Sequence, residues 1–296
     1  MSLVSLLKFI TSHPLNQDAK LEAIVRFGKW QLGSRLIDSE IVYEWVNDSK
    51  FLVRTGETGL TGNIYTGLHD FPDMGFLLHV LRDDDLFIDI GANSGSYTIL
   101  ACSAVGASGY AFEPIPATFA KLVNNIRLNH LGSRVTCLNV GLGSEKGTIE
   151  FTSDMDTVNH VVAQSEKHGN TIAVDLLTLD SVLENEAPTL IKIDVEGYET
   201  PVLGGAVETL KKPSLHSVIL ELNGSGNRYR YDESRILEMM FDHGFKTYSY
   251  DPFRRSLTNL NGKNLSSGNT LFIRNEAAVM EKIRNSPLVT VHGKQF

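Results

Sequence analysis

The chain has few of the features that place a protein outside the cell or in a membrane. It contains only two cysteines in 296 residues, Cys102 and Cys137, so we expect free thiols in a reducing compartment. It also has no apolar run as long as a membrane span. Residues 2–10 are apolar, but the run is short, contains Lys8, and lacks the basic start and cleavage site of a signal peptide. These absences predict a cytoplasmic protein without a membrane span.

Positive charge is also scarce. The 27 lysines and arginines are outnumbered by 35 acids, which gives a formal net charge of −8, and no block of basic residues occurs. Because nonspecific binding of nucleic acid relies on basic charge, we expect no nucleic-acid partner. Internal repeats and low-complexity segments are absent from the sequence too, and the 42% hydrophobic content suits a globular protein that buries a substantial core.

The most informative stretch is residues 86–100, with the sequence LFIDIGANSGSYTIL. Its first five residues form a short apolar run that contains one acid, Asp89, and ends at a glycine, which predicts a buried strand. Gly91 to Gly95 form a tight loop, and the apolar spacing from Ser96 onward is helical. A strand, a glycine loop and a helix in this order direct backbone N–H groups and a positive helix end at a ligand.

The spacing within this stretch favours a nucleoside without a diphosphate. A dinucleotide fingerprint needs a second glycine where this chain has Asn93, whose side chain would crowd a diphosphate. An acid, Glu113, follows 22 residues after Gly91 at the end of a second apolar run, and an acid there can bond both hydroxyls of a ribose. A ribose without a diphosphate suggests S-adenosylmethionine (SAM).

Three ordered motifs resemble the FkbM family of SAM-dependent methyltransferases, and the likeness covers roughly residues 60 to 275. The motifs are Asp89-Ile90-Gly91-Ala92-Asn93-Ser94-Gly95, then Phe112-Glu113-Pro114, then Lys192-Ile193-Asp194-Val195-Glu196-Gly197-Tyr198-Glu199, with Tyr65 to His69 and Leu179-Asp180 as weaker additions. The resemblance implies O-methylation of a hydroxyl on a sugar, a glycan or a secondary metabolite.

The apolar pattern predicts an α/β protein in three parts. Residues 1–82 form an N-terminal extension of helices and strands, residues 83–275 the SAM-binding domain, and residues 276–296 a helix with a loose tail. Strands and helices alternate from residue 83, which indicates a mostly parallel sheet with ligands at the carboxyl ends of its strands. Two strand-like pieces around the polar loop 164–170 interrupt the alternation. The resemblance implies the class I methyltransferase fold, a Rossmann-like sheet of seven strands with the last one antiparallel.

The predicted cofactor residues surround the glycine loop. Gly91 and Gly95 permit backbone approach, and Asp89 either holds the loop or reaches the methionine amino group through water. Glu113 either bonds the ribose or simply ends its strand. The loop Tyr65 to His69 either covers one sheet edge or closes over the cofactor. The full predicted set is Asp89, Gly91, Asn93, Gly95, Glu113, Asn139, Val140 and Tyr65.

The predicted catalytic residues are Asp194, Glu196 and His160. The two acids follow a strand whose end should face the methyl group, although acids in the first turn of a helix are also stabilised by its dipole alone. His160 belongs to the polar segment 156–160 and is either a base or a structural histidine. Asp194, Glu221 and Asn223 could together hold Mg²⁺, but they match no metal motif by spacing, so we expect no metal.

Two rival functions follow from the same residues. A nicotinamide-dependent oxidoreductase would need the glycine that Asn93 replaces, and a noncatalytic SAM-binding module would use the acids only to stabilise a helix end. The sequence leaves the acceptor, the methylated position and the oligomeric state open.

Overall fold

A computed structural model describes residues 2–37, 39–54, 59–153, 159–163, 170–264 and 268–296. The helices are α1 (Leu3–Ser12), α2 (Lys20–Leu36), α3 (Thr61–Thr66), α4 (Phe71–Val80), α5 (Ser96–Ile99, continued by the wider turns of Leu100–Val105), α6 (Pro116–Leu128), α7 (Leu179–Val182), α8 (Glu199–Gly204), α9 (Val207–Lys211), α10 (Glu233–Asp242) and α11 (Glu276–Arg284). None of them combines the length and hydropathy that crossing a bilayer requires.

The strands form one large sheet and three small ones. In chain order they are β1 (Ile41–Glu44), β2 (Lys50–Val53), β3 (Leu86–Ile90), β4 (Ser108–Phe112), β5 (Val135–Leu138), β6 (Gly141–Leu142), β7 (Gly147–Thr152), β8 (Thr171–Leu177), β9 (Leu190–Ile193), β10 (Ser217–Glu221), β11 (Lys246–Asp251), β12 (Ser256–Asn259), β13 (Asn269–Ile273), β14 (Thr290–Val291) and β15 (Lys294–Gln295). The main sheet has the order β12-β11-β13-β10-β9-β3-β4-β5.

Five adjacent strands, β10, β9, β3, β4 and β5, run parallel. They are near-continuous apolar runs, because helices cover both faces of a parallel sheet. Strand β13 is antiparallel to both of its neighbours, β10 and β11. The predicted mostly parallel, Rossmann-like sheet with an antiparallel last strand is therefore confirmed.

The sheet has one strand more than predicted. Strand β12 pairs antiparallel with β11 at the edge, and its residues are half-buried or exposed. An edge strand without a buried face has no regular apolar alternation, so its sequence carries little signal.

The insertion after β5 is a separate three-stranded sheet of β6, β8 and β7. The two strand-like pieces predicted there are β7 and β8, paired antiparallel from Gly147 with Leu176 to Thr152 with Thr171. Most of the predicted polar loop, residues 164–169, and the first part of the polar segment, residues 156–158, lie outside the described residues.

The two ends of the chain pack against the domain. Helix α4 begins at Phe71 with a proline in its first turn. The predicted loose tail is wrong, because β14 and β15 form a hairpin and Phe296 is buried against Phe71 with 5.1 Å between ring centroids. The division into extension, domain and tail stays a prediction.

Candidate active site

A cleft opens at the carboxyl ends of β3, β4 and β9, where the strand order reverses. A crevice forms where the connections after two neighbouring parallel strands lead to opposite sides of the sheet. Ligands of open α/β sheets bind in this crevice. Of the predicted site residues, those lining this cleft are Asp89, Gly91, Asn93, Glu113, Val140, Asp194 and Glu196. Strands distant in sequence thus bring these residues together at one mouth.

The backbone amides of the loop after β3 all donate hydrogen bonds within the protein. Gly91 and Ala92 donate to Phe112 O at 3.1 and 2.9 Å, Asn93 to Glu113 Oε2 at 3.0 Å, Ser94 to Asn93 Oδ1 at 2.7 Å, and Gly95 to Ala92 O at 2.8 Å. A diphosphate site needs such amides as donors. With residues 91–95 already bonded, the loop in this conformation offers none to a dinucleotide.

The two glycines of this loop are explained by packing inside the protein. Gly91 has a φ of 76°, and a Cβ there would stand 1.9 Å from Asp194 O. Gly95 has a φ of 91°, and a Cβ there would stand 2.7 Å from the Leu122 side chain. Gly91 also lines the cleft, whereas Gly95 lies outside the lining and begins α5. Packing against Leu122 accounts for Gly95, and its predicted contact with the cofactor stays a prediction.

Two buried carboxyl groups form one side of the cleft. Asp89 Oδ2 accepts a hydrogen bond from Thr98 Oγ1 at 2.6 Å, while its buried Oδ1 has no partner. Glu113 Oε2 and Oε1 accept hydrogen bonds from the amides of Asn93 and Ile115. Burial raises the pKa of Glu113 to about 7, although both amides favour the charged form. Each carboxylate oxygen can accept more than one hydrogen bond, so both groups have capacity for a ligand.

The residues after β5 divide between the cleft and its support. Val140 lines the cleft, and the apolar side chains of Phe112, Ile115 and Leu142 line it as well. Asn139 is exposed, lies outside the lining, and donates through Nδ2 to Glu113 O at 2.8 Å. The Asn139 amide thus tethers the loop that carries Glu113, and its predicted contact with the cofactor stays a prediction.

A lysine that the sequence reasoning did not single out lies at the centre of the cleft. Lys192 is 3% exposed, its Nζ lies 2.9 Å from Asp194 Oδ2, and it stands 4.7 Å from the centre of the Tyr97 ring. Burial alone would lower the pKa of Lys192, yet the carboxylates of Asp194 and Asp89 outweigh burial and raise this pKa. The ammonium therefore stays charged and cannot act as a base at neutral pH.

Three carboxyl groups meet beside this lysine. Oxygens of Asp194, Glu196 and Glu221 lie within 4.8 Å of one another. Burial raises the pKa of Glu196, and the charge of the nearby Asp194 raises it further. Burial, followed by the charges of Asp194 and Glu196, raises the pKa of Glu221 to about 9. Glu221 is therefore protonated at neutral pH, whereas Asp194 bonds the lysine.

These carboxyl groups are also the side chains that could hold a divalent cation. The set differs from the one considered on sequence grounds, because Asn223 Oδ1 accepts a hydrogen bond from the Ser225 amide at 2.9 Å, and Glu196 joins Asp194 and Glu221 instead. The expectation that no metal is needed stays a prediction.

His160 is buried beside the cleft and outside its lining, while its neighbour Asn159 lines the cleft. The His160 amide donates to Thr152 Oγ1 at 3.0 Å and so holds this segment against β7. His160 lies close enough to Glu196 for its charge to lower the pKa of that group. Its role as a base stays a prediction.

Tyr65 belongs to the packing of the extension. Its hydroxyl accepts a hydrogen bond from Gln31 Nε2 at 2.8 Å, and its ring packs on Phe27 with 5.1 Å between centroids. Tyr65 lies outside the cleft lining, and its predicted contact with the cofactor stays a prediction. The extension reaches the cleft through Gly59 and Asp70, on either side of the segment expected to close over it.

Asp70 accepts a hydrogen bond from the Tyr97 hydroxyl at 3.1 Å. No local pattern marks Asp70, because its contact comes from a distant helix. The sequence does contain a signal for Lys192 as a site residue, because it lies two residues before Asp194. Residues two apart along a strand project to the same side.

Comparisons with known proteins agree with this geometry. A family model, the Methyltransferase FkbM domain, matches residues 89–247, which is more than half of the chain. The hexuronic acid methyltransferase AglP of Haloferax volcanii is 33% identical over 150 residues, covering 50% of this chain and 59% of that protein. Methyltransferase 1 of Beauveria bassiana is 31% identical over 160 residues, which cover 46% of this chain and 64% of that protein. The chain thus spans less than two thirds of either relative.

Among solved structures, a methyltransferase FkbM from Methylobacillus flagellatus is similar with a TM-score of 0.43 and 18% identity, over 65% of this chain and 44% of that one. A precorrin-6y C5,15-methyltransferase from Geobacter metallireducens is similar with a TM-score of 0.43 and 13% identity, over 77% and 95% of the two chains. With its family model matched from the end of β3 to β11, the chain belongs to the FkbM methyltransferase domain family.

Proposed function

We propose that the chain binds SAM in the cleft and acts as an O-methyltransferase on a hydroxyl of a sugar, a glycan or a secondary metabolite. The observation that carries this proposal is the glycine loop, whose amides are all bonded internally while the carboxyl groups of Asp89 and Glu113 face the cleft. Such a cleft suits a nucleoside with hydroxyl and amino groups better than a diphosphate. Family membership supports the same cofactor.

SAM fits the groups on this side of the cleft. Glu113 would accept hydrogen bonds from the two ribose hydroxyls, and Asp89, with its buried unpartnered Oδ1, would accept one from the methionine amino group. Val140 and Leu142 would lie against the adenine. Bound SAM supplies a methyl group on a sulfonium, which needs no further activation by the protein.

The chain's own contribution is to align the acceptor oxygen and to remove its proton. Asp194, held by Lys192, would orient the acceptor hydroxyl. Glu196 would take the proton of that hydroxyl, because its raised pKa is closer to the best value for a base at neutral pH. His160 is the alternative base, and reaching the acceptor from its buried position would require the insertion to move.

The charges in the cleft favour a neutral acceptor. One lysine stands among Asp70, Asp89, Asp194 and Glu196, so an anionic group placed near the acids would be repelled. A neutral sugar hydroxyl avoids that cost. The relative AglP is a hexuronic acid methyltransferase by name, which supports a sugar acceptor, provided that any carboxylate points away from these acids.

Two measurements test the proposal. Calorimetric titration should detect binding of SAM and of its demethylated product but not of NAD, and ligand at ~100 times its dissociation constant should stabilise the fold by about 2.7 kcal/mol. Labelled SAM incubated with a panel of sugars and glycans should then yield a methylated product, and fragmentation of that product in a mass spectrometer should locate the methyl group.

The outcomes separate the rival functions. Binding of NAD instead of SAM would replace the proposal by an oxidoreductase, and SAM binding without transfer to any acceptor would favour a noncatalytic module. Transfer should survive EDTA. Loss of activity in EDTA that Mg²⁺ restores would make Asp194, Glu196 and Glu221 metal ligands.

A further inference from the structure

Three tyrosines form a cluster beside the acids of the cleft. Tyr198 lines the cleft and lies in the turn after β9, while Tyr229 and Tyr231 lie in the segment after β10. The ring centroid of Tyr198 is 5.6 Å from that of Tyr229 and 6.3 Å from that of Tyr231. The two rings of the second segment are 5.7 Å apart, and all three residues are half-buried. We name Tyr198, Tyr229 and Tyr231 the tyrosine cluster.

The backbone fixes the tyrosine cluster to the turn that carries Glu196. Gly197 has a φ of 102°, and a Cβ there would stand 2.7 Å from the carbonyl carbon of Ser225, so the segment after β10 lies directly against this turn. Within the turn, Glu199 Oε1 accepts hydrogen bonds from the amides of Val195 and Gly197 at 3.2 and 3.1 Å. These contacts hold the tyrosine rings in a defined position relative to Glu196.

Tyr229 joins the tyrosine cluster to the insertion. Its hydroxyl donates a hydrogen bond to Val161 O at 2.6 Å. Burial raises the pKa of Glu196, and the charges of Arg228 and His160 oppose that increase. Because these two charged residues precede Tyr229 and Val161 in the sequence, the hydrogen bond lies near Glu196. It therefore connects the insertion to the segment after β10 on the acid side of the cleft.

Packing inside the chain accounts for only part of the tyrosine cluster. Tyr198 and Tyr229 contact apolar residues of the insertion, and the Tyr229 hydroxyl is bonded. The hydroxyls of Tyr198 and Tyr231 have no hydrogen-bond partner in the described part of the chain. Burial raises the pKa of both hydroxyls, so both keep their protons at neutral pH. The cluster therefore offers partly exposed rings and two hydrogen-bond donors to a ligand.

The acids beside the tyrosine cluster supply both kinds of hydrogen-bonding group. Asp194 is held charged by Lys192 and accepts hydrogen bonds. Glu221, whose pKa burial raises to about 9, keeps a proton and can donate, and its buried Oε2 has no partner among the described residues. A ligand with several adjacent hydroxyl groups matches this mixture, because each hydroxyl both donates and accepts.

A pyranose ring combines the features that these two groups of residues require. Its C–H bonds form an apolar face that packs against an aromatic ring, and its hydroxyl groups form a polar rim. A wholly apolar ligand would leave the acids without partners. A flat phenolic ligand suits a slot between parallel rings, but the Tyr198 ring makes angles of 81° and 62° with its two neighbours.

We propose that Tyr198 and Tyr231 form the acceptor subsite of the cleft and that the acceptor is a sugar. A pyranose ring packs against Tyr198, and its reacting hydroxyl reaches Asp194 and Glu196. Tyr231 lies outside the cleft lining and extends the aromatic surface away from the cleft. This inference rests on the proposed function, because it names the class of acceptor for the same methyl transfer.

Saturation-transfer NMR tests the subsite without methyl transfer. The probes are the methyl pyranosides of glucose, galactose and mannose, added to the full chain together with demethylated SAM. Signal should pass from the wild type to the ring C–H protons of at least one probe. Tyr198→Ala should abolish this signal, whereas Tyr198→Phe should retain it because the ring remains. Phe241→Ala, at a phenylalanine 38% exposed outside the cleft lining, is the control and should behave as the wild type.

Steady-state kinetics with SAM saturating separates acceptor binding from chemistry. For a pyranoside that the wild type methylates, Tyr198→Ala and Tyr231→Ala should each raise KM for the sugar by roughly tenfold. The kcat should change little, because a stacking contact is made in the ground state and the transition state alike. SAM affinity, measured by calorimetry, and the circular dichroism spectrum should match those of the wild type.

The outcomes that overturn the subsite differ from those that overturn the proposed function. Signal to none of the pyranosides, or methylation of a sugar with an unchanged KM in both alanine variants, would contradict the subsite while methyl transfer stands. Transfer to catechol but to no sugar would replace the sugar by a phenol. Failure of the proposed function would instead appear as absent SAM binding, and a pyranoside signal that depends on Tyr198 would still support the subsite.

Discussion

At the scale of single residues, Lys192 determines how the acids of the cleft share their protons. Its ammonium lies 2.9 Å from Asp194 and is held charged by the surrounding carboxylates. Burial, followed by the charges of Asp194, Glu196 and Glu199, raises the pKa of Glu221 to about 9. Glu196, with a raised pKa and a place in the lining, is therefore the carboxylate best suited to accept a proton.

The first prediction concerns the base. With SAM saturating, Glu196→Gln should lower turnover by roughly 10²–10⁴-fold, the usual contribution of general acid–base catalysis. Asp194→Asn should also reduce turnover, because the acceptor and Lys192 both lose their charged partner. SAM affinity, measured by calorimetry, should stay close to that of the wild type in both variants.

His160→Ala is the comparison that decides between the two bases. A small effect on turnover would leave His160 as support for the insertion. A loss as large as that of Glu196→Gln, with SAM affinity unchanged, would transfer the role to His160. Near-normal turnover in all three variants would leave these acids without a catalytic role.

The second prediction concerns Glu113. Glu113→Ala should weaken SAM binding by roughly 1–3 kcal/mol, because the ribose hydroxyls lose a charged acceptor. The substitution also removes the acceptor for the amides of Asn93 and Ile115, so the free energy of unfolding must be measured alongside. Tyr65→Phe is a matched control outside the cleft. Equal SAM affinity in Glu113→Ala and the wild type would contradict the ribose assignment.

At the scale of elements, the glycine loop and the end of β9 determine each other's position. The close approach of Gly91 to Asp194 O brings the loop against the β9 turn, where Gly197 also has a positive φ of 102°. A Cβ at Gly197 would stand 2.7 Å from the Ser225 carbonyl carbon, so this turn in turn contacts the segment after β10. The cofactor side and the acid side of the cleft are therefore linked through backbone contacts.

Gly91→Ala should destabilise the fold by at least about 2 kcal/mol, because the residue would combine a positive φ with a backbone clash. Urea unfolding monitored by circular dichroism measures this change. Gly132→Ala is the control, since a Cβ there meets nothing within 4 Å and no positive φ is recorded. A Gly91→Ala variant as stable as Gly132→Ala would mean that the loop and β9 can separate at little cost.

At the scale of the whole molecule, buried titrating groups couple folding to pH. Burial raises the pKa of Glu113 and Glu199 from 4.5 to about 7 and that of Glu221 to about 9. The folded chain therefore binds more protons than the unfolded chain between these values, and stability falls as pH rises. Buried histidines act in the opposite direction below 6.5, because burial lowers the pKa of His13, His79 and His292 to about 4.

Above pH 6.5 the histidines no longer contribute, so the acids decide the trend. The free energy of unfolding should decrease from pH 6.5 to pH 9, measured by urea unfolding at each pH. Glu221→Gln should flatten the decrease between pH 7 and 9, because it removes the group with the highest carboxyl pKa. A stability that is constant or rises over this range would contradict the burial of these acids.

The sequence by itself determined most of the elements and one side of the cleft. Apolar runs, glycines and the spacing from Gly91 to Glu113 are local signals, and local signals suffice for strands that are buried on both faces. They were not enough for the exposed strand β12, which has no buried face, or for the tail, which packs against a residue far away in the sequence.

Only the tertiary structure decided which polar groups meet. Asp70 precedes α4, whereas Lys192 and Glu196 lie in and after β9, and no local pattern in the sequence indicates that Asp70 lies near the other two. The same holds for the shifted pKa values, since burial and neighbouring charge exist only after the strands are ordered. Strand order at the switch point is a non-local property, and it places the acids opposite the loop that the sequence had already marked.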